Sequence, residues 1–500
     1  MAYEVVVVGG GFGGLTTAAL LAARGASVCL LERESSAGGC ASSFEKFGYS
    51  FETGSGLYAS WAPQEIHERV FAELPVPPPE VKTISPAYVV RLPDKNEVAI
   101  TSNSEEFEEN LRHAFPECAD MAIRFYREIE PISDALHRVA QRMPDLHTAS
   151  RLRRMRAIAS EARIAPRIFA GATHVAEQHL DGTSSRFRRF IDAQLQMFGQ
   201  CPGDQCAYLY AAVALMIPRR GMYGIRGGAS ALAERLAESI KASGGAIRFD
   251  TTALRLSYDS SGRARGVDLL TGEFVEATRA IVSNLTVWDT YGKLVGLSRT
   301  PDSIRKRIGA LKGWGAYLVY LGMDESTAEK LPADHILALT DWQDGQTYDP
   351  ETAQFMFDAA PEWDQRAPVG KRAVTVSTFT DAAQWFTFHK DETQHDEQDQ
   401  AALDALWPSL HAALPELGDG VEVIDTATPR TFYESTRRRL GMVGGVGQSR
   451  DVFGANTFSH RTTLPNLYIV GDTTFPGQGI AAVTQSGLIV ANEIAPRNGL

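Results

Sequence analysis

Three glycines near the amino terminus have the spacing of a phosphate-binding turn. Gly9, Gly11 and Gly14 follow four consecutive valines in a G-x-G-x-x-G pattern. In such a turn the first glycine allows a tight reversal, the second lets a pyrophosphate approach the backbone, and the third lets helix and strand pack closely. The start of the following helix adds unpaired N–H groups and the positive end of its dipole. The pattern predicts a dinucleotide site, with Phe12 and Gly13 in the same turn.

The residues around this turn predict the βαβ unit that would hold it in place. Val5–Val8 is typical of a strand buried on both faces of a parallel sheet. The apolar segment Leu15–Arg24 predicts a helix that ends at Gly25. Ser27–Leu31 predicts a second strand, and Glu32 follows it near the distance at which an acidic side chain meets a ribose hydroxyl. Strand, turn, helix, strand and acid in this order predict a Rossmann-type α/β domain.

A second glycine turn comes soon after the acidic residue and lengthens the predicted binding surface. It covers Ser36–Ser43 and includes Gly38, Gly39, Cys40, Ala41 and Ser42. The stretch Phe47–Gly56 then alternates aromatic and small residues and includes Gly54. Two such turns directly after a ribose-type acid fit a cofactor longer than NAD, with backbone along its length. This arrangement favours FAD.

A glycine turn near the other end of the chain repeats the geometry of the first. The predicted strand Leu467–Val470 leads into Gly471, Asp472, Gln478, Gly479 and an apolar helix over Ile480–Ile494. An acidic residue at a strand end, followed by a glycine turn and a helix start, again offers a binding surface for a cofactor. The two ends of the chain are therefore predicted to share one site.

Composition and charge limit the class of protein. The 500 residues are 44% hydrophobic and 22% charged, as in a soluble globular protein, and such a length suggests about two or three domains. The net charge of −12 argues against a nucleic-acid-binding protein, which should present a basic face. Because the first predicted strand begins so near Met1, no signal or transit peptide is expected.

Cysteine and histidine residues give no metal or disulfide signal. The five cysteines are odd in number and contain no C-x-x-C pair, so we expect reduced thiols in a cytoplasmic protein. The eleven histidines are scattered, and no metal site is predicted. The longest apolar run before the C-terminal segment, Cys206–Ile217, is too short to cross a bilayer. It is expected to lie in the core or to line a substrate cavity.

Glycine- and proline-rich breaks divide the chain into two predicted domains that alternate along the sequence. Residues 1–75, 221–295 and 426–500 are predicted to form a discontinuous FAD-binding domain. Residues 76–220 and 296–425 are predicted to form an inserted α+β substrate-binding domain.

One stretch of the second domain is strongly basic. Six arginines between Arg151 and Arg167 are opposed only by Glu161, and apolar residues are interleaved with them. The segment near residues 151–170 could be an amphipathic helix on anionic lipid, which would make the protein a peripheral membrane protein, at the inner face of a membrane. The alternative is a solvated helix face whose arginines pair with acids elsewhere. The sequence leaves both interpretations open.

Several motifs together resemble the phytoene-desaturase-like FAD-dependent oxidoreductases, and within them the carotenoid cis-trans isomerase branch. The motifs are GGGFGG at Gly9–Gly14, GYSFETGS at Gly48–Ser55, VSNLTVWDTYGKLV at Val282–Val295, TPRT at Thr428–Thr431 and LYIVGDTTFPGQGIAAVTQSG at Leu467–Gly487. The cofactor-binding parts match along their whole length, and the middle regions match loosely. The resemblance implies a Rossmann-type FAD-binding domain like that of glutathione reductase and the amine oxidases.

The resemblance also implies roles for individual residues. Glu32 would bind the adenosine ribose, Gly38–Ser42 would follow the pyrophosphate and ribityl chain, and Ala253 would offer its backbone to the adenine. Asp472 would meet the ribityl–pyrophosphate region, and the segment Gln478–Ile480 would approach the isoalloxazine. Arg33, Gly54 and Asn284 complete the predicted cofactor set.

Two departures from the family pattern stand out. Glu52 lies where the family often has Asp, and the segment Arg437–Gly445 replaces the usual sequence before the last strand. Because of the second departure, the resemblance does not fix the identity of the substrate.

The resemblance implies an enzyme that acts on a hydrophobic polyene, with cis-to-trans isomerisation of a carotenoid by reduced FAD as the expected reaction. Desaturation or retinol-type saturation is the first alternative, and an amine-oxidase-like reaction on a small substrate is the second. No acid–base pair is required for isomerisation, and no catalytic side chain is predicted. The sequence does not indicate the oligomeric state.

Overall fold

A computed structural model describes residues 2–143, 149–341, 348–387, 391–454 and 457–496. Its strands are, in chain order, β1 Ala2–Val8, β2 Val28–Leu31, β3 Ser43–Lys46, β4 Tyr49–Glu52, β5 Tyr58–Ala59, β6 Val81–Ile84, β7 Tyr88–Arg91, β8 Glu97–Ile100, β9 Met222–Ile225, β10 Ala246–Arg248, β11 Ala253–Tyr258, β12 Ala264–Leu269, β13 Phe274–Ser283, β14 Gly315–Asp324, β15 His335–Leu339, β16 Gln354–Ala359, β17 Lys371–Thr380, β18 Val421–Ala427 and β19 Leu467–Ile469.

The α-helices connect these strands and cover the sheets. They are, in chain order, α1 Phe12–Ala23, α2 Ile66–Phe71, α3 Ser104–Ala114, α4 Ala119–Arg142, α5 Arg151–Ala159, α6 Ala165–Gly171, α7 Ser185–Gly199, α8 Tyr208–Arg220, α9 Gly228–Ala242, α10 Val287–Asp289, α11 Asp302–Ala310, α12 Glu325–Ala328, α13 Glu392–Ala413, α14 Pro429–Thr436 and α15 Ile480–Ile494. The predicted helix α15 has the predicted bounds, whereas α1 begins three residues earlier than predicted, at Phe12.

The first sheet is a Rossmann-type sheet, as the sequence predicts. Its strands lie in the order β10-β2-β1-β13-β12-β11, and β19 also pairs with β13. Strands β10, β2, β1, β13 and β19 pair with one another in parallel, while β12 pairs antiparallel with both β11 and β13. The valines Val5–Val7 are fully buried. Val5 and Val7 pack in the core that contains α1, α9 and α15, and Val6 packs in the core that contains β11, β12 and α10. The carboxyl ends of β2, β1, β13 and β19 therefore meet at one edge.

Helices α1 and α15, from opposite ends of the chain, pack together at very short range. The hydroxyl of Thr17 donates to the carbonyl of Gly13 at 2.8 Å and to that of Gly487 at 3.2 Å. A Cβ atom on Gly487 would lie 2.7 Å from the Gly13 carbonyl oxygen and 2.8 Å from the Thr16 side chain. Only glycine fits at this contact.

The second sheet has seven strands. Its order is β18-β14-β17-β16-β15-β7-β8, and it is antiparallel except for the β15–β7 pair. Successive residues of β15 face opposite ways, as in any strand. Leu337 and Leu339 pack in the core that contains α4, α7 and α8. Ile336 and Ala338 pack in the core that contains Leu410 of α13.

The basic segment is not one continuous helix, so this part of the prediction is wrong. Helix α5 ends at Ala159, and α6 starts again at Ala165. Pro166 has no N–H to donate to the preceding turn, which permits it at the start of a helix but not in its interior. Residues 144–148, just before this segment, lie outside the described residues.

We expect Gly487→Ala to lower the free energy of unfolding by roughly 1–3 kcal/mol, because its methyl group overlaps the backbone of α1. Gly309→Ala is a matched control, since it lies in α11 with no heavy atom within 4 Å of an added Cβ. The control should be neutral or stabilising by up to about 1 kcal/mol, because alanine favours the helix. Urea denaturation of both variants measures the difference, and equal effects would contradict the close α1–α15 contact.

Candidate cofactor and substrate site

A single cavity of about 810 Å³ connects the carboxyl edge of the first sheet with the second sheet. Of the predicted cofactor residues, those that line it are Gly9, Gly11, Phe12, Gly13, Glu32, Arg33, Gly38, Gly39, Cys40, Ala41, Gly54, Ala253, Asn284, Gly471, Asp472, Gln478, Gly479 and Ile480. Segments separated widely in sequence are thus brought to one surface by the sheet. Gly14 and Ser42 are not among the described lining residues.

Asn284 holds the first glycine turn in place. Its backbone N–H donates to the carbonyl of Val8 at 2.8 Å, which continues the β1–β13 pairing past the strand ends. A Cβ atom on Gly11 would lie 2.5 Å from the Asn284 amide nitrogen, and one on Gly13 would lie 2.8 Å from its amide oxygen. A side chain at either glycine would therefore displace Asn284. Gly14 faces the Gly9 carbonyl, which is the close helix–strand packing predicted for it.

Glu32 anchors the carboxyl end of β2 to both neighbouring turns. Its carboxylate accepts hydrogen bonds from the backbone N–H of Gly10 at 2.5 Å and of Glu34 at 2.8 Å. Burial raises the pKa of Glu32 above its ordinary value, although these hydrogen bonds act in the opposite direction. The carboxylate lines the cavity at the end of the first turn, where the predicted ribose contact would be made.

The second glycine turn lies directly on the first. The N–H of Gly38 donates to the carbonyl of Gly10 at 2.9 Å. Gly38 and Gly39 both have positive φ angles, +127° and +67°, which side chains other than glycine rarely adopt. The neighbouring Ser42 instead exchanges hydrogen bonds with Thr53, so its contribution is to the loop.

Arg33 lines the cavity but is held by another element. Its guanidinium donates to the carbonyls of Glu434 and Ser435, at 2.7 and 2.6 Å. These carbonyls belong to the last turn of α14, where a cation is favoured by the helix dipole. Arg33 thus ties the first sheet to the C-terminal segment.

The C-terminal turn closes the cavity from the other side. The N–H of Gly471 donates to the hydroxyl of Ser486 at 3.0 Å, which holds the turn on α15. The amide nitrogen of Gln478 donates to the carbonyl of Met197 in α7 at 2.9 Å. No heavy atom lies within 4 Å of a Cβ built on Gly479 or Gly54, so the backbone at both faces open space. The cavity can thus admit a long ligand that lies along glycine turns from both the N-terminal and the C-terminal parts of the chain.

Beyond Gln478 the cavity continues as an apolar arm between α7, α8 and the second sheet. Its lining residues include Met197, Phe198, Tyr210, Ala214, Ile217, Met222, Leu337, Phe355, Met356 and Phe379. The prediction that Cys206–Ile217 packs inside or lines a cavity applies to α8, which does both. The lining residues from α7 and the second sheet were missed, because an apolar residue that lines a cavity has the same sequence pattern as a core residue.

Charge is divided sharply along this cavity. The charged residues that line it, in the part of the chain described, are Glu32, Arg33, Glu34, Asp289, Lys293, Arg437, Arg438 and Asp472. All lie around the turns of the cofactor end, and the described lining of the apolar arm carries none. The polar groups of the arm are amides and hydroxyls, such as Gln200, Gln354 and Thr378.

The family of the chain follows from comparison with known proteins. The family model described as flavin containing amine oxidoreductase matches residues 12–495. The chain belongs to this family. Its cofactor is FAD, and the glycine turns and the long cavity suit a cofactor of that length.

Curated relatives match along the entire chain at low identity. The chain is 27% identical to prolycopene isomerase from Arabidopsis thaliana, covering 100% of this chain and 83% of the relative. It is 24% identical to human all-trans-retinol 13,14-reductase, covering 99% of this chain and 86% of the relative. These matches over the whole chain confirm the resemblance to carotenoid isomerases that the motifs indicate.

Solved structures show the same fold. An oxidoreductase from Methanosarcina mazei superimposes with a TM-score of 0.65 at 15% identity, covering 98% of this chain and 99% of that one. Wild-type putrescine oxidase bound to putrescine superimposes with a TM-score of 0.64 at 15% identity, covering 99% and 100%. The predicted fold class, a Rossmann-type FAD-binding domain with a second domain, is confirmed.

His67 is a buried histidine on the wall of the cavity. It lies in α2, and its ring stacks on Trp61 with ring centroids 4.3 Å apart. Burial lowers the pKa of His67 to about 3, so the ring is neutral at physiological pH. It therefore adds no charge to the cavity.

We expect the free energy of unfolding to fall below pH 6.5 with a contribution from His67 of up to about 1.4 kcal/mol per pH unit. In this range the unfolded state binds a proton on His67 that the folded state does not, until the pH approaches the folded-state pKa of about 3. His67→Phe should remove this part of the slope and leave stability above pH 7 nearly unchanged. Chemical denaturation of both proteins from pH 4.5 to 8 measures it, and parallel curves would contradict the assignment.

Proposed function

We propose that this flavoenzyme isomerises cis double bonds of an apolar polyene, most specifically a carotenoid, without net oxidation or reduction. The observation that carries the proposal is the arm, whose described lining has no charged residue and which continues from the cofactor end of the cavity. A conjugated hydrocarbon can be buried there without leaving a charge unpaired. The full-length similarity to prolycopene isomerases supports the same substrate class.

The proposed cofactor contacts follow the order of residues along the cavity. We assign Glu32 to the adenosine ribose, Ala253 to the adenine through its backbone, and Gly9–Gly14 to the pyrophosphate. The turn Gly38–Ser42 would follow the ribityl chain, and Asp472, from the C-terminal turn, would lie along the same chain. The segment Gln478–Ile480 would lie near the isoalloxazine. When bound and reduced, FAD supplies reversible transfer of electron density or hydride to a conjugated double bond.

The protein itself would position and shield the reacting bond. The start of α15, at Gly479 and Ile480, directs its unpaired N–H groups and positive dipole end to the cofactor side of the cavity, where they would stabilise negative charge. The arm excludes water from the polyene. Isomerisation requires no proton donor from the protein, in agreement with an arm whose described lining has no carboxylate or lysine.

Two alternatives use the same site differently. Desaturation would remove two hydrogens from the polyene, and saturation, the reaction in the name of the retinol reductases, would add two. Oxidation of a small amine is the reaction class suggested by the name of the family. A cationic amine in the arm would need a compensating carboxylate, and the described lining there provides none.

Anaerobic incubation of the reduced holoenzyme with a poly-cis carotene should give a product of unchanged mass and altered chromatographic retention. Oxidised enzyme under the same conditions is the control and should give less product. A product lighter by two hydrogens would replace the proposal with desaturation, and a heavier one with saturation. Peroxide release from amines would support the oxidase alternative.

Ala214→Phe should narrow the arm and lower kcat/KM for the carotene by ~10–100-fold, because displacement of the substrate misaligns the reacting bond. The flavin absorption spectrum should stay unchanged. Val213→Phe, on the same helix but outside the cavity lining, is the matched control. Equal activity of the two variants would show that the substrate does not bind in the arm.

The substrate would be delivered from an anionic membrane surface by α5 and α6. Three large apolar side chains of these helices are exposed, Leu152 by 57%, Met155 by 46% and Phe169 by 45%. Exposed arginines surround them, namely Arg151, Arg153, Arg156, Arg163 and Arg167. The single acid, Glu161, is held by Arg138 at 2.8 Å and by Arg142, so it does not offset these arginines. This composition suits lipid contact, although no described helix is long and apolar enough to cross a membrane.

The exposed surface formed by α5 and α6 also adjoins the substrate arm. Gly171, at the end of α6, lies so close to Tyr208 of α8 that an added Cβ would lie 2.6 Å from its ring. Helix α8 then lines the arm through Tyr210, Ala214 and Ile217. A polyene leaving the bilayer at this surface would meet the arm with few intervening residues.

Sedimentation with vesicles tests whether the exposed surface formed by α5 and α6 binds lipid. We expect binding to vesicles that contain phosphatidylglycerol, weaker binding at high salt, and little binding to pure phosphatidylcholine. Replacing Leu152, Met155 and Phe169 by Ser should lower vesicle affinity by about tenfold or more, since apolar burial is lost. Leu297→Ser, at another exposed leucine (56% exposed), should bind as wild type. Equal binding of the triple variant would show that these apolar side chains do not enter the lipid, and no binding of the wild type would assign the arginines to a solvated surface.

A further inference from the structure

Arg438 lies in the segment that departs from the family pattern, and its side chain reaches the cofactor end of the cavity. Its Nη2 donates to the carboxylate of Asp472 at 2.7 Å, and its Nε donates to the carbonyl of Met442 at 2.8 Å. The two side chains of the ion pair are only 15% and 12% exposed. Burial acts to lower the pKa of Arg438, but the carboxylate of Asp472 outweighs it and the pKa is raised above its ordinary value, so the guanidinium stays charged.

The segment around Arg438 is fitted closely to the C-terminal turn. A Cβ atom on Gly445 would overlap the backbone carbonyl of Asp472, and one on Gly444 would overlap the amides of Gln200 and Gln478. Both glycines have positive φ angles, +70° for Gly444 and +83° for Gly445. The chain from Arg438 to Gly445 therefore has little freedom to withdraw Arg438 from Asp472.

The ion pair lies on the surface that a cofactor would touch. Arg438, Asp472 and Cys40 all line the cavity. A guanidinium has five N–H donors, and the two hydrogen bonds to Asp472 and Met442 use only part of them. Arg438 thus stands between the second glycine turn and the C-terminal turn.

We propose that Arg438 is a charge-setting residue of the flavin site, which neutralises Asp472 and gives the bound FAD its affinity and reduction potential. The proposal rests on the placement of FAD along the Gly471–Asp472 turn and is independent of the substrate. FAD carries a negatively charged pyrophosphate, and its reduced ring system gains negative charge. With Arg438 in place, the carboxylate at 472 does not oppose either charge. Without Arg438, the cofactor would face an uncompensated carboxylate in a cavity of low dielectric.

Variants that remove one charge of the Arg438–Asp472 pair test this proposal, because they are expected to shift the reduction potential in opposite directions. Arg438→Met should weaken FAD binding at least tenfold, with oxidised FAD retained better than reduced FAD, so that the reduction potential falls. Asp472→Asn leaves Arg438 positive and should raise the potential. The double variant removes both charges and should return the potential close to that of wild type. Arg438→Lys should restore most of the FAD affinity lost in Arg438→Met.

Fluorescence titration of the apoprotein with FAD gives the affinity, and anaerobic dye-equilibrated reduction gives the potential. A tenfold change in the ratio of oxidised to reduced affinity corresponds to about 30 mV for a two-electron couple. Arg439→Met is the matched control, because the exposed Arg439 lies over the Trp288 ring, 5.7 Å from its centroid, outside the described lining.

Shifts of the potential in the same direction for both single variants would overturn the proposal and indicate a packing role for the pair. Unchanged FAD affinity in Arg438→Met would also overturn it. If wild-type protein bound FAD but isomerised no carotene, the proposed function would fail and this inference would be untouched.

Discussion

The close approach of backbone segments at the carboxyl edge of the first sheet is the constraint on which the structure depends. The parallel strands β2, β1, β13 and β19 end there, and Asn284 occupies the space between the first glycine turn and Gly471. Any side chain at Gly11 or Gly13 would compete with that asparagine. The cofactor surface is therefore made of backbone, and its shape follows from strand pairing and helix packing together.

This constraint explains why the ends of the chain were predictable and the middle was not. The turn at Gly9–Gly14 and helix α15 depend on local residue types, so their positions follow from sequence alone. The apolar arm joins α7, α8 and strands of the second sheet, and no local pattern records which apolar faces leave a gap between them. The position of Arg438 opposite Asp472 likewise depends on the fold of a segment without a recognised motif. In the basic segment the charge pattern predicts one helix, whereas the structure has two, α5 without a buried residue and α6 with Pro166 in its first turn.

The separation of charge along the cavity has a clear physical use. Ionised side chains gather at the end of the cavity where we propose that FAD binds, and amides and hydrocarbons form the described lining of the remainder. An ion placed in the arm would need hydration or a partner, and either would compete with a hydrocarbon substrate. Putrescine oxidase shares this fold, and one fold can support different substrates.

The contact between α1 and α15 also bears on how the protein is made. Thr17 and Gly487 are 470 residues apart in sequence, yet their contact closes the cofactor side of the molecule. At ordinary rates of translation, roughly 25–95 s separate the synthesis of these two residues. During that interval the first glycine turn exists without the helix that covers it. We therefore expect the FAD site to be completed only after α15 has been synthesised, with the apolar face of α1 left without this partner until then.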